Sequence, residues 1–145
     1  MDCASSHLKA LALNGVVAIA MTLCTGGAAF AGSFDGSWSV AISCAATSDG
    51  AKPYNWKFPA TVKNGVIHGQ YKTPGETPSG TLTGQITDSG DGSLEMVGIA
   101  GDSDYTVGRI GGVHFRYSVK AHFSGGSGSG ERQERRSCNL SFSRS

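Results

Sequence analysis

Two of the four cysteines, Cys44 and Cys138, stand near opposite ends of the part of the chain that carries strand-like patterning. The chemistry open to them is oxidation to a disulfide. Cys3 and Cys24 fall in an N-terminal stretch that reads as a leader, so an even pair remains in the segment that folds. Two independent buried thiols are the alternative. In the chain-entropy picture, a bond closing so long a loop contributes roughly 4 to 5 kcal/mol before strain is subtracted. The second chemistry-bearing group is the run Glu131-Arg132-Gln133-Glu134-Arg135-Arg136, which directly precedes the apolar alternation of Cys138, Leu140 and Phe142. On one continuous strand, Arg132, Glu134 and Arg136 share the face of those apolar residues. They would then either hold an anionic group through Arg132 or Arg136, or pair Glu134 with Arg136 and plug the end of a barrel.

Other reactive side chains lack a pattern that would make a site. His114 and His122 lie on one face of a single strand, eight residues apart, which at about 3.3 Å per residue is roughly 26 Å, too far to share a metal. A site at His68 would need a carboxylate from elsewhere. Asp88, Asp91, Asp102 and Asp104 sit in turn-like sequence, and Asp88-Ser-Gly-Asp-Gly-Ser lacks the spacing and closing Glu of a calcium loop. Nucleophile elbows and phosphate-cradling glycine motifs are missing, and the stretch Gly125 to Gly130 is Ser-rich and leads into a strand rather than a helix. The formal net charge is +1, which gives no electrostatic case for nucleic acid or an anionic membrane surface. The expectation is a protein that is not an enzyme and uses neither metal nor cofactor.

The N-terminus explains the compartment implied by the cysteines. Lys9 precedes a small and apolar run from Ala10 to Leu23, and Ala29-Phe30-Ala31 then offers an A-x-A cleavage site. The run is broken by Asn14 and Gly15 and is shorter than the roughly 20 residues that cross a bilayer, so no membrane anchor is expected in the mature form. Leu23 occupies the place before Cys24 where a lipoprotein site wants a small residue. Residues 1–31 are thus read as a signal peptide and 32–145 as one domain, periplasmic or secreted.

The elements that must position these groups are strands. No amphipathic helix follows Gly32, whereas period-2 alternation recurs between turn signals. Phe34, Trp38, Val40, Ile42 and Cys44 share one face of a first strand, and Tyr54, Trp56, Phe58, Ala60 and Val62 share one face of a second. Asn64-Gly65 predicts a tight type I′ hairpin into Val66–Tyr71. Further strands are expected around Thr81–Thr87, Ser93–Ile99 and Tyr105–Arg109. The most regular is His114–Phe123, with Phe115, Tyr117, Val119, Ala121 and Phe123 on one face. The Gly-Ser segment Ser124–Gly130 reads as a flexible loop before the last strand. Seven or eight short strands with 22 glycines at bends and ends suit an all-β, antiparallel up-and-down barrel. If Cys44 faces Cys138 in antiparallel register, Ile42 faces Leu140, Val40 faces Phe142 and Trp38 faces Arg144, a match on one face that a one-residue slip would destroy. Arg144 would then lie over the Trp38 ring or fray at the terminus.

Phe34-Asp35-Gly36-Ser37-Trp38, with a final-strand Arg144, resembles the G-x-W opening of calycin-type barrels, lipocalins and avidins among them. The wider combination of Asp35-Gly36-x-Trp38, Asn64-Gly65 with Gly69 and Tyr71, and Gly128 to Cys138 is similar to a group of small exported bacterial proteins without an assigned function. The resemblance implies a calycin-like barrel and transfers no active site. A barrel of this size can be filled by side chains or hold one ligand. The leading expectation is therefore a non-enzymatic binder of a small amphipathic molecule, with Tyr54, Trp56, Phe115 and Tyr117 as walls and Arg136 as the polar anchor, beside Arg132 and Glu134 at the same end. The alternatives are a protein-binding module, such as an inhibitor of a secreted hydrolase, or a purely structural envelope protein.

Overall fold

Alternation of large apolar and polar side chains builds eight strands in the computed structural model, which describes residues 32–145. The leader expected at 1–31, with Cys3, Cys24 and the Ala29-Phe30-Ala31 site, lies outside the described residues. The strands are β1 (Gly36–Cys44), β2 (Tyr54–Lys63), β3 (Val66–Tyr71), β4 (Ser79–Ile86), β5 (Asp91–Ile99), β6 (His114–Ser124), β7 (Ser127–Arg132) and β8 (Cys138–Arg144). Each pairs antiparallel with the next, and β8 returns to β1, closing an up-and-down barrel that leaves no free sheet edge. Among the described residues no helix is long and apolar enough to cross a membrane.

Closure follows the expected register. Cys44 pairs with Cys138, Ile42 with Leu140, Val40 with Phe142 and Trp38 with Arg144. The cysteines are joined in a disulfide that spans 94 residues of sequence, and their Cα atoms are 4.0 Å apart. The β2–β3 hairpin turns on Asn64 and Gly65, with φ of 53° and 73°. Both lie in the left-handed region that a type I′ turn requires and that Asn and Gly tolerate best.

Three local expectations are corrected. The Gly-Ser segment is not a flexible loop. Only Gly125 and Gly126 turn, and Ser127–Arg132 is strand β7, paired with β6 on one side and β8 on the other. Its inward positions are Gly128 and Gly130 because β6 already fills the space. A Cβ on Gly128 would stand 2.8 Å from the Phe123 ring, and one on Gly130 would stand 3.1 Å from the Ala121 methyl. Low strand propensity at these positions is the consequence of large neighbours.

The second correction concerns Tyr105–Arg109, which is not a strand. Asp102 caps a single 3₁₀ turn, Ser103–Tyr105, by accepting the Asp104 N–H at 2.9 Å, and this turn belongs to a long β5–β6 loop. The third is the charged run. Residues 131 and 132 end β7, Arg135 turns the chain at φ 48°, and β8 begins only at Cys138. Arg132, Glu134 and Arg136 therefore do not share one strand face.

The buried core runs along the barrel interior to Cys44, Cys138 and Tyr117, and its densest aromatic cluster sits at the end that holds the start of β1 and the end of β6. Phe123 meets Trp38 edge-on at 5.5 Å, Phe142 at 4.7 Å and Phe34 at 5.8 Å between ring centroids. Each such buried aromatic contributes on the order of 1.5 to 3 kcal/mol by leaving water. Trp38 Nε1 donates to Phe34 O at 2.8 Å, which folds residues 32–35 across this end. Asp35 fixes the fold-over by accepting the N–H groups of Asn64 at 2.8 Å and Gly65 at 3.1 Å. Arg144 lies 5.3 Å over the Trp38 ring and donates to Ser33 O, so the end of the last strand is tied to the residues that open the first.

Candidate functional site

At the opposite end the barrel is open, and its inward residues are those that β2 and β6 bring there by alternation. Tyr54 and Trp56 come from β2, Phe115 and Tyr117 from β6, and Arg132 from β7. Together with Arg136 and the β5–β6 loop they enclose a cavity of about 370 Å³, a size that suits a small organic molecule.

The aromatic wall is continuous. Trp56 stacks flat on Tyr71, with centroids 4.3 Å apart and planes at 10°, and lies 5.3 Å from Tyr54 and 6.1 Å from Phe115. Phe115 in turn stacks on Tyr117 at 5.7 Å. Gly80 makes room for this arrangement, since a Cβ there would stand 3.0 Å from the Trp56 ring and collide with the Met96 methyl.

The two arginines at this end play different parts. Arg136 is buried, 3% exposed. Its Nε donates to Ala45 O at 2.6 Å, Nη1 to Tyr105 O at 2.7 Å and Nη2 to Lys52 O, while its guanidinium lies 4.9 Å over the Tyr54 ring. One side chain thus ties the β8 approach to the β1–β2 loop and to the β5–β6 loop. Burial lowers its guanidinium from the ordinary value, opposed by the nearby Tyr54.

Arg132 lies 4.3 Å over the Tyr117 ring and takes part in none of the four ion pairs among the described residues. Its Nε and the Tyr117 hydroxyl are sealed from solvent without a hydrogen-bond partner among those residues. Burial pushes the Tyr117 hydroxyl well up from its ordinary value, with Tyr54 beside it adding to the rise, and burial raises Tyr54 as well. Both phenols therefore stay protonated and able to donate at physiological pH.

Glu134 is brought to neither arginine. Its carboxylate is exposed on the outer face, where it accepts the Ser118 N–H at 3.1 and 3.0 Å. An internal Glu134–Arg136 plug is thereby overturned: Arg136 is satisfied by carbonyls instead. Arg132, Arg136, Tyr54, Trp56, Phe115 and Tyr117 all line the one cavity, while Trp38 and Arg144 belong to the other end.

Sequence reasoning missed the part played by the β5–β6 loop. Tyr105 and Val107 from this loop, with Pro78 before β4, complete the rim. The loop is tied down by Asp104, which pairs with Lys52 at 2.7 Å and Arg109 at 2.8 Å, and by Asp49, which accepts the Gly108 N–H at 2.6 Å. The available signal was Asp102-Ser103-Asp104, an Asx-type cap that argues against a strand.

The histidines lie elsewhere. His122 contacts Asp91 at 3.0 Å on the outer surface, and Ser129 is its neighbour across β7, but both members of the pair are well exposed and no hydrogen bond joins them to Ser129. Among the described residues no group of three His, Cys, Asp or Glu side chains is arranged to hold a metal ion.

No protein-family model matches this chain, and comparison with curated proteins and with solved structures likewise gives no match. The fold and the site stand on their own geometry.

Proposed function

We propose that this protein binds a small amphipathic molecule at the open end of its barrel, without catalysing a reaction on it. The observation that carries the reading is the cavity of about 370 Å³ walled by Trp56, Phe115, Tyr54 and Tyr117, with an arginine at its edge that joins no ion pair among the described residues. An apolar hollow with a few convergent polar groups is the usual form of a ligand site. A barrel meant only to be stable would be expected to fill both ends, as this one fills the end around Trp38.

Export to an oxidising compartment, periplasmic or extracellular, is part of the same proposal. It is supported by the leader-like sequence before Gly32 and by the disulfide. Kinship with calycin-type barrels, and with small exported bacterial proteins, is proposed on the Gly36-Ser37-Trp38 opening and the placement of Arg144 over that Trp.

Native mass spectrometry of protein purified from its own compartment tests the reading. A retained small-molecule adduct lost on denaturation is expected. A second reading, a protein-docking module, draws on Tyr105, Ile110 and Val113, which are exposed on the β5–β6 loop beside the mouth. It would show instead as a stoichiometric protein complex with an empty cavity, and that outcome would displace the first reading.

A further inference from the structure

We propose that the molecule taken up by the open end is an organic monoanion of the carboxylate class, and that the terminal nitrogens of Arg132 receive its charged head. The inference rests on the reading of the open end as a ligand site and names the ligand's chemistry. Two guanidiniums lie in this aromatic end, stacked on Tyr117 and Tyr54, and neither takes part in an ion pair among the described residues. The charge of Arg136 is shared out over three backbone carbonyls, which use all three of its nitrogens. Arg132 makes no hydrogen bond to any described residue, and only its Nε is sealed, so both terminal nitrogens remain open to donate.

The acids that might have neutralised Arg132 are committed elsewhere. Glu134 faces outward on the Ser118 N–H. Asp104 is held between Lys52 and Arg109. Asp102 lines the rim, but its carboxylate caps the 3₁₀ turn through Asp104 N and Ser103 Oγ.

A guanidinium half out of water, with its face on a ring and its two-nitrogen edge unused, presents the fork that matches a carboxylate. In an environment of low dielectric, an anion there gains more than it would at an open surface. The Tyr117 ring lies under the same guanidinium, and its buried, protonated hydroxyl, beside Tyr54 and without a hydrogen-bond partner among the described residues, offers a further donor if the head settles deeper. The apolar body would lie against Trp56 and Phe115. The cavity limits the whole ligand to the order of a dozen to twenty non-hydrogen atoms at ordinary packing density.

Calorimetric titration of the disulfide-bonded domain with phenylbutyrate, its neutral amide phenylbutyramide and the cationic phenylbutylamine tests this. These three share a body of suitable size and differ in the head. The acid is expected to bind at least about tenfold tighter than the amide, as a hydrogen-bonded charge pair in a partly dry site allows, and the amine weakest. Arg132→Met, which keeps the stem over Tyr117, should erase the preference for the acid while leaving amide binding in place. Arg132→Lys should keep part of it, and its retained charge guards against a Met variant that fails to fold. Equal affinity for acid and amide in the unmodified protein, or an acid preference that survives Arg132→Met, overturns the anion inference and leaves the cavity reading intact. If none of the three compounds binds, the cavity reading itself falls.

Discussion

The two ends of this barrel are made of the same materials and are finished in opposite ways. At one end Trp38 and Arg144 stack, the indole N–H has a carbonyl, Asp35 has two backbone N–H groups, and Phe34 folds across Phe123. At the other end the arginine–tyrosine pairs of Arg132 over Tyr117 and Arg136 over Tyr54 surround a hollow, and two polar atoms are left without partners among the described residues. Cation–π pairing is thus used twice over, once to finish a core and once to hold cationic side chains beside empty space. The difference teaches that the stacked arginine alone does not mark a binding site. What distinguishes the open end is the donors left over after every local acceptor has been counted.

The sharpest way to break the comparison is to truncate matched aromatics. Phe123→Ala at the filled end should cost about 3 to 5 kcal/mol in chemical denaturation, whereas Phe115→Ala, half-buried on the cavity wall of the same strand, should cost about 1 kcal/mol or less. Equal losses would mean that the open end is as tightly packed as the other.

The arginines of the open end give the next contrast. Arg136→Met leaves the carbonyls of Ala45, Lys52 and Tyr105 short of a donor and should destabilise by about 2 to 3 kcal/mol. Arg132→Met removes no hydrogen bond to the described protein and should change the thermal midpoint little. A reversal of that order would assign the structural role to Arg132.

The smallest effect concerns acid. The backbone N–H groups of Asn64 and Gly65 hold the Asp35 carboxyl below its ordinary value of 3.8. A lowered folded-state value means that the stabilisation from the ionised group is fully present above the ordinary value and is lost as pH falls from there through the folded-state value. Asp35→Ala should accordingly be less stable than the parent at neutral pH, and the two stability curves should converge in acid. Parallel curves would show that this cap does not titrate with folding.

Much of the architecture was legible because period-2 alternation is a local signal. Tyr117, Val119 and Phe123 could be placed inward from β6 alone, and the cysteine pair fixed the register of β1 against β8. Strand β7 was illegible for a physical reason: Gly128 and Gly130 are small because Phe123 and Ala121 occupy the space that a side chain would take. A strand defined by its neighbours carries little signal of its own. Missing it shifted the charged run onto β8 and gave Glu134 an inward direction that it does not have. The four aromatic wall residues were placed by periodicity, while the rim formed by Tyr105 and Val107 depends on a long loop whose path is set by Asp49, Lys52 and Asp104, contacts remote in sequence.

Both described chain ends emerge beside the filled end. Gly36 and Ser37 begin β1 there, and the Ser145 N–H donates to Ser37 O at 2.9 Å. The mouth lies a barrel length away, roughly 20 to 30 Å for strands of this size. Anything attached beyond Ser145, whether a tether, a solid support or a reporter domain, is therefore anchored at the back of the molecule. Immobilised by that end, the protein faces solution with its cavity outermost, so a surface-bound array of it would sample solutes with every mouth unobstructed.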